Sequence, residues 1–251
     1  MSIAEISISR EADVTHIRMN RPEKRNALTA EMYAAMADAL AAAETDGTAV
    51  IILSGAGKGF TAGNDLADFV SRPPSSEEAP VHRFLRGIAT SSRILIAAVQ
   101  GRAVGVGTTM LLHCDFVLAD EDAVLQMPFT DLALVPEAAS SLLVPALVGH
   151  QRAAGLLILG DAVTAAEAQT LGLVRQVVAN GSALEHASAL AATIAAKPRQ
   201  AILATKRLMK SPTPDVAGRM AEEGAAFAAQ LQTPELHATV AKFFAARSKA
   251  A

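Results

Sequence analysis

Phe60-Thr61-Ala62-Gly63-Asn64-Asp65-Leu66 decides how this chain is read. It follows Ala49-Val50-Ile51-Ile52-Leu53, a short, β-branched apolar run closed by Ser54-Gly55, which reads as a buried strand. Asp65-Leu66-Ala67-Asp68-Phe69-Val70 then opens a helix. The order is strand, glycine-rich turn, helix N-terminus. In such a turn the backbone N–H groups point outward with a helix dipole behind them. That arrangement holds an anion, including an oxyanion that forms only in a transition state. The same residues also read as a plain strand-to-helix turn with Asp65 as N-cap, because one glycine-rich turn is a weak motif alone.

A second stretch has the same order. Ile94-Leu95-Ile96-Ala97-Ala98-Val99 reads as a buried strand, Gln100-Gly101-Arg102-Ala103-Val104-Gly105-Val106-Gly107 as its turn, and Thr108 to His113 as the helix that follows. Upstream, residues 3–9 and 14–19 alternate around Arg10-Glu11-Ala12-Asp13 and predict a β-hairpin. Residues 20–26 form a polar loop. Thr29 caps a helix that runs to about Glu44, with Leu28, Met32, Met36 and Leu40 at helical spacing, and Asp46-Gly47 stops it. Residues 71–80, with three prolines, are the most loop-like of the chain, and 81–91 read as a helix. Further short strands fall at 115–119 and 123–126. Strands and helices thus alternate to about residue 135 with no GxGxxG after the first strand, which makes the class α/β without a dinucleotide-binding signature. From Ala138 the pattern is helical, at about 138–147, 150–159, 164–171, 183–196, 198–209, 213–231 and 234–246, with one strand at 173–178.

Composition narrows the function. With 251 residues, 51% hydrophobic and 19% charged, the chain has ample material for a core. The net charge of −3 comes without a basic block and argues against nucleic acid. A single cysteine, Cys114, excludes an intramolecular disulfide and a cysteine zinc cluster, and it reads as a packing residue. The six histidines have no metal-ligand spacing, and His82, His113 and His150 read as structural. The first residues lack the pattern of a signal peptide, and no apolar run is long enough to span a bilayer. A soluble cytoplasmic protein that binds neither membrane nor metal is the expectation.

Several stretches together support a family resemblance. Asn20-Arg21-Pro22-Glu23-Lys24-Arg25-Asn26-Ala27-Leu28 and Ser54-Gly55-Ala56-Gly57-Lys58-Gly59 with the Phe60–Leu66 stretch resemble the first two signatures of the crotonase (enoyl-CoA hydratase/isomerase) superfamily. Residues 96–107 resemble the third. Leu159-Gly160-Asp161-Ala162-Val163-Thr164-Ala165-Ala166-Glu167-Ala168, with Leu171-Gly172-Leu173-Val174, resembles the fourth. Their order along nearly the whole chain is far more specific than any one turn.

The resemblance implies a spiral of ββα units over residues 1–195. It also implies a helical region, 196–251, for trimerisation and CoA contact, giving a homotrimer or a dimer of trimers. The implied ligand is an acyl-CoA thioester, which is the substrate, so no cofactor is expected. The thioester oxygen would be held by the backbone N–H groups of Asn64 and Val106; removing one such donor typically costs about 3–4 kcal/mol of transition-state stabilisation. By the same resemblance Arg25, Ala27, Ala62, Gly63, Asp65 and Leu66 fall in the segments that contact CoA or substrate, and Phe243 with Arg247 would reach a neighbour's CoA. For the basic loop residues the alternative is simple solvation, and for Phe243 and Arg247 an amphipathic helix end.

The acid–base residue separates the reactions within the family. The two glutamates of the hydratases fall by position on Thr109 and Phe129, neither of which can move a proton as a carboxylate does. Pro128-Phe129-Thr130-Asp131-Leu132-Ala133-Leu134-Val135-Pro136-Glu137 instead resembles the peroxisomal-type Δ3,Δ2-enoyl-CoA isomerase branch, in which a glutamate after the second proline is the base. That residue is Glu137; read by position alone it is a helix-start glutamate favoured by the dipole. Asp131 is a possible second carboxylate or a turn residue. The expected activity is isomerisation of 3-enoyl-CoA to trans-2-enoyl-CoA in fatty acid β-oxidation. Hydration, hydrolysis or another lyase reaction on an acyl-CoA, or a non-catalytic acyl-CoA binder, are the alternatives.

Overall fold

Two strands start the chain, and their pairing sets the frame for the rest. The computed structural model describes residues 4–210, 216–234 and 238. β1 (Ile6–Glu11) pairs antiparallel with β2 (Val14–Met19), with Glu11 opposite Val14. The strand therefore runs through Arg10 and Glu11, which the alternation had assigned to the turn. The turn is two residues long, with Ala12 at φ +50°, and tight hairpins demand such positive φ.

β2 then pairs in parallel with β3 (Val50–Gly55), and β3 in parallel with β4 (Ile94–Val99). All six residues of each of β3 and β4 are buried, as a parallel strand covered on both faces requires. β6 (Phe116–Asp120) and β9 (Gln176–Val178) complete a six-stranded sheet in the order β1-β2-β3-β4-β6-β9. α1 (Ala30–Ala43) and α3 (Pro80–Thr90) cover one face. Met32, Met36, Leu40, Phe84 and Ile88 join Ile51, Leu53 and Leu95 in one apolar core, and the rings of Tyr33 and Phe84 pack 5.6 Å apart. Thr29 caps α1, accepting from the N–H of Met32 at 3.3 Å.

A second, smaller sheet was not legible in the strand pattern. β5 (Arg102–Val104) and β7 (Val124–Gln126) pair in parallel, and β8 (Val163–Thr164) adds antiparallel to β7. β5 and β8 are too short, at three and two residues, for alternation to show. Thr61 forms a parallel bridge with Ala103 and so stands where a further strand of this sheet would be. The chain thus passes three times from the large sheet to the small one: β3 to Thr61, β4 to β5, β6 to β7.

Each passage ends near a helix. α2 (Leu66–Ser71) follows Thr61. α4 (Val106–Thr109) follows β5 and continues as a 3-10 turn, Met110–His113, beginning two residues before the predicted helix. α5 (Ser140–Val148), α6 (His150–Ile158) and α7 (Ala165–Thr170) follow β7. α8 (Ala183–Ala195), α9 (Arg199–Lys210) and α10 (Val216–Leu231) end the described chain. Of the strand expected over 173–178, only Gln176–Val178 pairs.

The chain divides into two compact units, Met1–Ala192 and Thr193–Ala251. The first holds both sheets and the core just described. In the second, α9 and α10 leave an apolar groove lined by Ala201, Ala204, Leu208 and Phe227. No helix among the described residues is long and apolar enough to cross a membrane.

Candidate active site

The two glycine-rich turns lie against each other. Thr61 N–H donates to the Arg102 carbonyl at 3.1 Å, and Val104 N–H donates to the Thr61 carbonyl at 3.0 Å. Gly63, at φ +90°, sits so close that a Cβ there would stand 2.8 Å from the Val104 carbonyl oxygen. A Cβ on Gly107 would stand 2.6 Å from Thr61 Cγ2. Both glycines are therefore needed for contact between the turns, and Gly63 also for its backbone conformation.

Asn64 and Val106 are the residues these turns present. Leu28 pairs beside Asn64, donating its N–H to the Gly63 carbonyl (2.8 Å) while its carbonyl accepts from Asp65 N–H (2.9 Å). Val106 is the first residue of α4, preceded by Gly105 at φ +57°. Among the described residues neither Asn64 N–H nor Val106 N–H donates to a backbone carbonyl in the turn network. Two N–H groups are thus left at adjacent turns, and backbone donors of this kind are what an oxyanion needs.

Glu137 reaches this place from another part of the chain. The side chain of Thr109, the last residue of α4, lies near its carboxyl and favours the charged form, while the Thr109 hydroxyl donates to the Val106 carbonyl at 3.5 Å. Oε1 is buried and has no hydrogen-bond partner among the described residues. Burial pushes the pKa up to about 7, against the opposing pull of the Thr109 hydroxyl and the nearby His82. A carboxyl removed from water and only partly compensated holds its proton more tightly. A carboxyl so tuned can both take and return a proton near neutral pH.

The backbone around Glu137 is held in place. Its carbonyl accepts from Ser140 N–H at 2.9 Å and from Ser140 Oγ at 2.6 Å. Ala138 and Ala139 both take left-handed conformations, at φ +52° and +56°. The Ala138 carbonyl accepts a hydrogen bond from His113 Nε2 at 2.9 Å, so that histidine carries its proton on Nε2. Left-handed alanine is costly and persists only where surrounding bonds over-determine it. His113 thus anchors the segment that carries Glu137.

Tyr33 was not singled out from the sequence. It is buried on α1, its hydroxyl donates to Asn64 Oδ1, and its pKa is raised well above the usual phenol range by burial and by the charge of Glu137. A lone tyrosine in an alanine-rich helix carries no local signal; only the fold places it between Asn64 and Glu137.

The other predicted residues divide. Asp65 caps α2, accepting from Asp68 N–H at 3.3 Å, and pairs with Arg21 at 2.7 Å; the Arg21 hydrogen bond holds its carboxyl below the usual range. Arg25 is exposed, and its carbonyl accepts from Ala62 N–H at 2.9 Å, while the Ala27 carbonyl accepts from Arg21 at 3.0 Å. The first and second signature segments therefore meet, with Arg25, Ala27, Ala62, Gly63 and Asp65 joined by these bonds, while Leu66 opens α2 and is exposed. Asn26 fastens them: wholly buried at φ +55°, it accepts from Arg21 N–H and donates to the carbonyls of Ala56, Gly59 and Phe60. Asp131 is exposed beside Gly160 and is not among the groups that act on Glu137. Phe129 is buried in the core, and Cys114 is half-buried with Sγ 3.6 Å from the Met110 carbonyl. Phe243 and Arg247 lie outside the described residues. No group of three or more metal-ligating side chains occurs among the described residues.

The two-sheet spiral and its paired turns define the crotonase fold. The chain belongs to the enoyl-CoA hydratase/isomerase family, whose model matches residues 9–247. It is 38% identical over 178 residues to enoyl-CoA delta isomerase 2 of Rattus norvegicus, a match that spans 68% of this chain and 46% of the rat protein. The chain therefore corresponds to under half the length of that relative. It is 36% identical over 196 residues to 1,2-epoxyphenylacetyl-CoA isomerase of Escherichia coli (strain K12), covering 75% of each. Among solved structures, a Magnetospirillum magneticum AMB-1 protein provisionally designated an enoyl-CoA hydratase/carnithine racemase superimposes with a TM-score of 0.93 at 40% identity, over 97% of this chain and 96% of that one.

Proposed function

We propose that this chain isomerises 3-enoyl-CoA thioesters to trans-2-enoyl-CoA, with Glu137 as the single acid–base residue. The observation that carries this reading is the buried, unpartnered Oε1 of Glu137 beside the turn of Val106. The Glu137 carboxylate removes a proton from carbon 2. The electron pair moves toward the thioester oxygen, where the N–H groups of Asn64 and Val106 stabilise the enolate. The resulting dienolate takes the same proton back from Glu137 at carbon 4, leaving the double bond between carbons 2 and 3. Atoms and electrons balance within the substrate, so the step calls for no cofactor. One carboxyl is enough, which fits Thr109 and Phe129 at the two positions where water addition would use glutamates. The crotonase resemblance further suggests a homotrimer or a dimer of trimers, and exposed Leu142, Ile158 and Leu159 offer apolar surface for such a contact.

The test uses purified protein with a medium-chain trans-3-enoyl-CoA, products separated by chromatography, wild type beside Glu137→Gln. Conversion to the 2-enoyl-CoA that is lost in the variant is the expected result. A 3-hydroxyacyl-CoA product, or activity that survives the substitution, would remove the assignment.

A further inference from the structure

We infer that Tyr33 is a positioning residue for the first glycine-rich turn: through the Asn64 side chain it fixes the backbone N–H proposed to hold the thioester oxygen. The inference rests on the acyl-CoA reading of the site and extends it to a residue outside both turns. The N–H groups on either side of Asn64 are committed. Gly63 N–H donates to Thr61 Oγ1 at 3.1 Å, and Asp65 N–H donates to the Leu28 carbonyl at 2.9 Å. The Gly63 carbonyl belongs to the same peptide unit as Asn64 N–H, and it accepts from Leu28 N–H at 2.8 Å. In a trans peptide the N–H points opposite to the carbonyl, so this bond turns the Asn64 N–H away from Leu28. The side chain of Asn64 is the part these backbone bonds do not hold. Tyr33 holds it, with its hydroxyl donating to Oδ1.

Tyr33 is itself rigidly placed. Its N–H donates to the Thr29 carbonyl at 3.0 Å, its ring packs on Phe84, and the residue is buried. Leu28 lies just before α1 and Tyr33 in its first turns, so the start of one helix holds Asn64 by main chain and by side chain. Phenylalanine would fill the same space against Phe84, so the hydroxyl is the part of Tyr33 that packing does not explain. A buried hydroxyl is retained at a cost unless it has a partner, and here that partner is the residue presented by the turn. Burial and the charge of Glu137 both keep the phenol protonated, and His82 and Thr109 act on Glu137 in turn. Tyr33 therefore stays a donor to Asn64 throughout the range in which Glu137 changes charge.

The test is a double-mutant cycle of Tyr33→Phe and Asn64→Ala, which leaves the backbone N–H of residue 64 in place. Two rates are read: isomerisation of a 3-enoyl-CoA, and exchange of the carbon-2 protons of a saturated acyl-CoA in D2O, which needs the enolate but no double bond. Each single variant should lower kcat about tenfold with little change in KM. The double variant should be no slower than the slower single one, because both remove the same bond. The chain has one tyrosine and no tryptophan, so the near-ultraviolet dichroism beyond the phenylalanine bands reports Tyr33 alone. Asn64→Ala should change that signal in the resting protein. Effects that multiply in the double variant, unchanged kcat in Tyr33→Phe, or dichroism that ignores Asn64→Ala would each overturn the inference. Exchange that depends on Tyr33, without isomerisation, would leave the inference standing and remove the isomerase reading. Isomerisation at full rate in Tyr33→Phe would do the reverse, and a wild type with neither reaction would overturn both.

Discussion

The Thr109 side chain lies near the carboxyl of Glu137 and favours its charged form, from the end of the same short helix whose first N–H belongs to Val106. One helical turn therefore fixes the distance between the proposed oxyanion donor and the proposed base. By the family resemblance Thr109 falls where the hydratases carry a glutamate, so the residue that departs from that pattern is the one that lies near the remaining carboxyl.

The acid limb of the rate follows from Glu137. Its pKa is about 7 in the folded protein, and the base must be ionised to take the first proton. The kcat for a 3-enoyl-CoA should rise with pH through a midpoint near that value and be almost lost at pH ~5. A pH–rate profile with no inflection near neutrality would contradict the assignment.

Removing the Thr109 hydroxyl should raise that midpoint. The hydroxyl favours the charged form, and a hydrogen bond to a charged group is worth about 1.5–3 kcal/mol, or about one to two pH units. Thr109→Val should shift the acid limb upward by that amount and slow the reaction at pH ~7 more than at pH ~9. Parallel loss at all pH values would point to misplacement of Glu137 instead.

Glu137 also imposes a pH-dependent cost on stability. Its folded pKa is raised from 4.5 to about 7, so its protonated form stabilises the fold at low pH, and that contribution is lost as pH rises from about 4.5 through about 7. Above that window the buried charge should cost about 3 kcal/mol. Glu137→Gln should therefore be more stable than wild type at pH ~8, with the advantage disappearing toward pH ~4. Denaturant titrations of both proteins at the two pH values measure the difference.

The contact between the turns can be broken at one atom. A Cβ on Gly63 would meet the Val104 carbonyl at 2.8 Å and leave alanine at φ +90°. Gly63→Ala should destabilise the protein by about 1–3 kcal/mol and lower kcat by more than it raises KM, because the Asn64 N–H moves with the turn. Steady-state kinetics beside a thermal melt separate the two effects.

Asn26 makes a similar test of the loops that bring the first and second signature segments together, which the proposed reading places at the CoA. Its amide serves four backbone groups while fully buried. Asn26→Ala leaves those groups without partners and should cost several times the ~1 kcal/mol of one ordinary hydrogen bond. Raised KM in whatever protein remains folded would place the damage at ligand binding.

Much of this was open to reading from the residues. The buried strands β3 and β4 announce themselves as β-branched runs, and the glycines that follow them mark both turns. Thr29 and Asp65 cap the helices that their positions predict. Glu137 emerged from a family pattern, since a glutamate near a helix start has an ordinary local explanation. β7 of the small sheet was expected at 123–126 and is there, but β5 and β8 escaped because two or three residues show no period. Tyr33, His82 and His113 escaped because a single polar residue beside apolar ones looks the same whether it serves the core or a site.

The sequence by itself determined the order of elements, the places where the backbone must turn sharply, and the family, because these depend on neighbours along the chain. Only the tertiary structure decided which side chains meet. Tyr33 reaches Asn64 across 31 positions and His113 reaches Ala138 across 25. The carboxyl of Glu137 is pushed toward neutrality by exclusion of water, a property of the packed surroundings that no local pattern records.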